Sequence, residues 1–166
     1  MENGNGGLSI LIQGVFRDSF FFCYTRGMKL KVKRLRPEAK LPTRAHHDDA
    51  GLDVYTCEKI TLLPHTTLKV PTGIAYEVPD GYCVFGWDKG SIGSKGLKTL
   101  GGVLDSGYRG ELFIPMHNLN DEAYTFEAGD KIAQIVIQKV ELWEVEESDE
   151  LSETKRGTGS FGSTGK

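Results

Sequence analysis

The sequence predicts an all-β domain, a jelly-roll sandwich or barrel with almost no helix. Three observations support this. Between Met28 and Val145, short β-rich apolar runs follow one another closely, Gly, Pro, Asp and Asn punctuate the gaps, and no stretch keeps a helical period for long. At 166 residues, 39% hydrophobic and 26% charged, the chain can enclose one core without disulfides or metals, so a single domain is the default.

Residues 1–27 stand apart. They combine five glycines with Leu8, Ile10, Leu11, Ile12 and the run Phe20, Phe21, Phe22, but they begin Met-Glu-Asn and are broken by Gln13, Arg17 and Asp18, unlike a secretory signal. They are expected to be a leader, disordered or an upstream extension of a domain that opens at Met28 with Met-Lys-Leu-Lys-Val-Lys-Arg-Leu. Strands are expected at Lys31–Leu35, Asp53–Tyr55, Lys59–Leu63, Thr67–Val70, Ile74–Val78, Tyr82–Trp87, Glu111–Leu119 and Lys131–Val140. Pro64, Pro71 and Pro79, the last followed by Asp80-Gly81, recur every seven or eight residues and suit turns between short antiparallel strands. Beyond Val140, residues 141–153 hold seven acids and no base, a solvated connector. The chain thus divides into a leader at 1–27, a β domain at 28–145, and an acidic connector with a Gly-rich arm at 146–166.

Composition narrows the function. A net charge of −3 argues against wholesale binding of a nucleic-acid backbone, and no stretch is apolar over the roughly 18 residues that a membrane-spanning helix needs. The three cysteines, Cys23, Cys57 and Cys83, form an odd set without metal-ligand spacing, which points to a reducing compartment and the cytoplasm. The four histidines have no acid partner at ligand spacing and are assigned no chemistry.

Four segments have the residue types that handle a nucleotide. In the tail, closely spaced glycines let backbone N–H groups converge on an anion, Arg156 offers a bidentate fork and Phe161 a stacking face, while Ser163 and Thr164 add hydroxyls; a plain Gly/Ser tail is the alternative. In Trp87–Leu97, Lys89 and Ser91 supply a charge and a hydroxyl to a phosphate, or else the segment is a surface loop. Asp53 and Asp105 each border an apolar strand at a glycine-marked turn, where an acid organises Mg²⁺, orients a water or caps the turn.

Five motifs in order, DAGLDVYT (49–56), WDKGSIGSKGL (87–97), GGVLDSGYRG (101–110), GDKIAQIV (129–136) and RGTGSFGSTG (156–165), resemble those of the trimeric dUTPase family. The resemblance runs from Met28 to Gly165 and implies a Mg²⁺-dependent homotrimeric jelly-roll enzyme. It implies hydrolysis of dUTP to dUMP and pyrophosphate, which keeps uracil out of DNA and supplies dUMP for thymidylate synthesis. By the same resemblance Asp105 is the base for the attacking water, and the hairpin Leu97–Leu104, with Leu100, Gly102, Val103 and Leu104, reads uracil. Tyr108 lies under the deoxyribose, Lys89, Gly90 and Ser91 contact phosphate, and Gln134 supports the phosphate and water network. Asp53 holds Mg²⁺ through water, Arg156 clamps the terminal phosphate, and Phe161, with Gly162 and Ser163, closes over the base from a neighbouring subunit.

Two positions depart from the family pattern. Gly90 stands where a serine hydroxyl is usual, which implies slower turnover with binding retained, and Ser160 replaces a glycine, which introduces strain if the position needs a left-handed φ. Two other functions remain in view: a weakened nucleotide-binding or regulatory homologue, and a dCTP deaminase. The deaminase is disfavoured because Pro115 occupies the position of its catalytic glutamate.

Overall fold

The computed structural model describes residues 29–160, in which eleven short strands and one helical turn follow in order. They are β1 (Lys31–Arg34), β2 (Leu52–Tyr55), β3 (Ile60–Leu62), β4 (Thr67–Pro71), β5 (Ile74–Glu77), β6 (Tyr82–Trp87), α1 (Gly90–Gly93), β7 (Leu97–Thr99), β8 (Val103–Leu104), β9 (Phe113–Asn118), β10 (Tyr124–Phe126) and β11 (Lys131–Lys139). Each expected strand is present, with ends moved by at most two residues. The additions are short: β10 is three residues, and the helical turn is Gly-Ser-Ile-Gly, which reads as loop until Ile92 is seen buried beneath it.

All pairings are antiparallel. A four-stranded sheet, β2-β11-β6-β8, and a three-stranded sheet, β4-β9-β7, are joined by the pairs β1-β5 and β10-β3 in a jelly-roll arrangement. Val54, Val84, Ile132 and Ile135 from the larger sheet meet Val70, Leu97, Ile114 and Met116 from the smaller, and all belong to one buried cluster. Alternation sets the faces: along β9, Ile114, Met116 and Asn118 are buried and Phe113, Pro115 and His117 are not. In β11 the register against β2 shifts between Lys131 and Ala133, so Ile132 and Ala133 are buried in succession. This bulge leaves Gln134 opposite both Asp53 and Trp87.

Pro71 is not a turn residue. It ends β4, which pairs only with β9, so its missing N–H falls where an edge strand needs none. Pro115 lies in the central strand β9, but its carbonyl accepts from Leu100 N–H at 2.8 Å, which places its missing donor just past the end of β7.

Candidate active site

The phosphate-binding candidates gather where β2, β11 and the end of β6 meet. Asp53, whose side chain is 9% exposed, accepts from Lys89 Nζ at 3.0 Å through one oxygen and from Lys131 Nζ at 2.7 Å through the other. Burial pushes the Asp53 carboxyl up, but the two ammonium groups outweigh it and hold the acid below its ordinary range; Asp53 in turn raises Lys131. Gln134 Nε2 donates to the Asp88 carbonyl at 2.9 Å, fixing the loop that carries Lys89. A Cβ on Gly51 would stand 2.2 Å from Gln134 Oε1, so the first-motif glycine makes room for the fourth-motif glutamine. Asp53, Lys89, Gln134 and Gly51, with Gly90, Ala45, Ala50 and Asp49, line a cleft of about 290 Å³. Ser91 is exposed and does not line it.

Sequence reasoning missed Asp88 and Lys131. Asp88 accepts from Thr99 N–H at 2.7 Å and Thr99 Oγ1 at 2.6 Å and pairs with Lys98, clasping the phosphate loop to β7. Burial raises its carboxyl, and these donors more than reverse the effect. Only the dense charge and hydroxyl content of the second motif hinted at the clasp.

A second cavity of about 200 Å³ lies along residues 97–104, which do not form the expected hairpin: β7 pairs with β9 and β8 with β6, so the segment crosses from one sheet to the other. Thr99, Leu100, Gly101, Gly102, Val103 and Leu104 form one wall, and Gly86, Phe113, Ile114 and Pro115 form the other. Gly101 has φ 70° and Gly102 φ 147°, and a Cβ on Gly102 would stand 2.6 Å from the Gly86 carbonyl oxygen. The two backbones meet there, Gly86 N–H donating to Gly102 O at 2.8 Å, and only glycine permits that approach. Phe113 was also missed; its place on this wall comes from the β4-β9-β7 register.

The turn after Leu104 carries Asp105, which is exposed and has no side-chain hydrogen bond among the described residues. Tyr108, 43% exposed, donates its hydroxyl to Glu111 O at 2.9 Å and packs over Gly110, where a Cβ would lie 2.4 Å from the tyrosine oxygen. Asp105 and Tyr108 line neither the cleft nor the pocket; Leu104 pairs with Val84 near the start of β6, whereas Lys89 follows the end of that strand, so Asp105 and Lys89 lie towards opposite ends of β6.

The arm remains separate as well. Arg156 is exposed and donates only to Gly159 O, at 2.9 Å, within its own turn. Gly157 has a left-handed φ of 50°, whereas His65 is the one non-glycine with positive φ among the described residues, so Ser160 carries no such strain. Phe161, Gly162 and Ser163 lie outside the described residues. The segment read as a solvated connector also presents Leu142, Trp143, Val145 and Leu151 at 81–99% exposure.

No group of three or more His, Cys, Asp or Glu among the described residues is placed to hold a metal. Two carboxylates in the cleft, Asp53 and Asp49, suit an ion held mainly by substrate phosphates and water. No helix among them is long and apolar enough to cross a membrane.

Residues 37–165 match the dUTPase family model. The chain is 42% identical over 142 residues to deoxyuridine 5'-triphosphate nucleotidohydrolase of Thermobifida fusca (strain YX), covering 83% of this chain and 79% of that protein. It is 39% identical to the enzyme of the same name from Solibacter usitatus (strain Ellin6076), covering 84% and 97%. Among solved structures, the Staphylococcus bacteriophage 80alpha dUTPase with dUPNHPP superposes with a TM-score of 0.78 at 30% identity, covering 82% of this chain and 98% of that one. A mutant dUTPase from phage phi11 of S. aureus, solved with a coordinated structural Mg(II) ion, gives 0.71 at 26% identity, covering 76% and 100%. On the family match, the identities and the shared jelly roll, the chain belongs to the dUTPase family.

Proposed function

We propose that this chain hydrolyses dUTP to dUMP and pyrophosphate, with Asp105 as the base. Besides family membership, one observation carries the reading: the wall of a small backbone-lined pocket ends at Leu104, and the next residue is a free, exposed carboxylate. A base held by the 97–104 segment would present its sugar to Tyr108 and its α-phosphorus near Asp105. The Asp105 carboxylate takes a proton from water, the water oxygen bonds to the α-phosphorus, and the bond to the bridging oxygen breaks, releasing pyrophosphate. Leu100, Gly102, Val103 and Leu104 bind the base, and the close approach of the Gly86 and Gly102 backbones limits the room for a thymine methyl.

Lys89, Gly90, Ser91 and Gln134 receive the phosphates, with Arg156, Phe161, Gly162 and Ser163 closing over them. Mg²⁺ would be held through water by Asp53, and when bound it neutralises phosphate charge. The division of residues between cleft, turn and arm supports a homotrimer with shared sites, built from a body at 28–145 and an arm at 146–166. The exposed Leu142, Trp143, Val145 and Leu151 favour this reading, because a run of exposed large apolar side chains marks a surface for a partner. Cys57 and Cys83 are buried free thiols, which suits a cytoplasmic enzyme.

The test is pyrophosphate release from dUTP, dTTP, dCTP and UTP, with Mg²⁺ and with chelator. Release confined to dUTP and lost with chelator is expected. Deaminated product from dCTP would overturn the reading, and so would dUTP binding without release. Half-buried Pro115, on the pocket wall, offers no carboxylate for a deaminase.

A further inference from the structure

Among the described residues, the Tyr76 hydroxyl on β5 is the buried side-chain polar atom that has no hydrogen-bond partner, in a residue only 3% exposed. A phenol O–H removed from water and left unpaired is costly, and in an otherwise satisfied fold it marks a bond made in another arrangement. Its surroundings indicate which bond. On one side β1 pairs with β5, with Val32 opposite Tyr76. On the other runs the chain returning from the Asp105 turn: Leu112 N–H donates to Ile74 O at 2.8 Å, and Gly73 N–H donates to Glu111 Oε1 at 2.8 Å.

Tyr76 and Arg109 share the lining of a cleft of about 340 Å³. The charged and titratable groups around the phenol are Lys31 and Lys33 from β1, Glu77 from its own strand, Cys83 from β6, and Asp105, Tyr108 and Arg109 from the turn. Several are engaged: Lys31 pairs with Glu77 at 2.7 Å, Tyr108 donates to Glu111 O, and Arg109 donates to the Ser106 and Tyr108 carbonyls. Among the described residues the Asp105 carboxylate is an acceptor without a donor, and it sits on the turn whose Arg109 shares the cleft with Tyr76, the donor without an acceptor.

We propose that Tyr76 is a positioning residue for dUTP hydrolysis: its hydroxyl donates to the Asp105 carboxylate, directly or through one water, when the turn closes on substrate. The inference rests on the function proposed above. Closing the turn then relieves an unpaired buried donor and fixes the carboxylate that must point at water. Burial, with the Tyr108 and Asp105 charges, pushes the Tyr76 phenol up to about 12, so it keeps its proton wherever a carboxylate base works.

Tyr76→Phe removes only the oxygen. In a pyrophosphate-release assay of the full chain beside the wild type, kcat is expected to fall about tenfold with KM for dUTP within about twofold. The acid limb of the kcat profile should move to higher pH, because the charged base has lost a donor. The melting temperature should stay or rise, since a buried unpaired hydroxyl is gone. Replacing Tyr76 by 3-fluorotyrosine, a stronger donor of the same shape, should move the acid limb to lower pH. An unchanged kcat and limb in both variants beside an active wild type would overturn this inference alone. A wild type that releases no pyrophosphate would remove the functional reading and this inference with it.

Discussion

In the pocket beside the 97–104 segment, the walls are backbone and apolar side chains, and their shape depends on glycine at 102, where a Cβ would stand 2.6 Å from the Gly86 carbonyl. In the cleft around Asp53, the walls are charges and amides holding one another: Lys89 and Lys131 on the carboxylate, Gln134 on the Asp88 carbonyl. In the first region the close approach of the Gly86 and Gly102 backbones sets the shape. The second is an ion network whose members can exchange partners. Base selection and phosphate binding should therefore fail in different ways when each is disturbed.

The largest effect is expected where neither region compensates. Asp105→Asn should lower kcat by about 10³ with little change in dUTP binding, read by steady-state kinetics and by calorimetry, because an amide cannot take the proton. Full activity would show that the base is misplaced. Gly90→Ser tests the cleft: a Cβ at position 90 meets nothing within 4 Å, so the hydroxyl fits without rearrangement. Its kcat should rise, by up to about 10²-fold if the serine acts as a preorganised donor, and an unchanged kcat would mean Ser91 already fills that role.

Gly102→Ala tests the pocket. Contact with Gly86 O and the φ of 147° should cost about 1–3 kcal/mol, seen as a rise in KM for dUTP rather than a fall in kcat. Equal losses in both would mean the 97–104 segment also positions Asp105. The smallest effect concerns acid. Because the folded Asp53 carboxyl lies below its unfolded value, its contribution is complete above about pH 4 and is lost as pH falls through the lower folded value. Urea midpoints at pH 5, 4 and 3 should drop less steeply in Lys131→Met than in the wild type, and parallel curves would show that Lys131 does not depress Asp53.

The strands were legible because alternation survives in short runs such as Tyr82–Trp87, whereas the 97–104 segment was reached through family resemblance, and strand pairing shows it crossing between sheets rather than closing as a hairpin. The clasp of Asp88 on Thr99 and the pairing of Lys131 with Asp53 were not, since strand register alone brings residues so distant in sequence together. Pro71 misled for a related reason: a proline at a strand's end on a sheet edge has the same local sequence as one in a turn. Tyr76 looked like one more apolar position of β5, because a missing hydrogen bond leaves no trace in composition. In the arm, the acids drew attention while Leu142, Trp143, Val145 and Leu151 among them did not, and their exposure is visible only once the body is folded.

The separation of Lys89 and its cleft from Asp105 and its turn has a genetic consequence. If each working site draws these halves from different copies, a chain inactivated at position 89 and one inactivated at position 105 are defective in different places. Co-expressed or mixed under conditions that let subunits exchange, two inactive proteins should assemble some sites with both wild-type halves and recover a fraction of the activity.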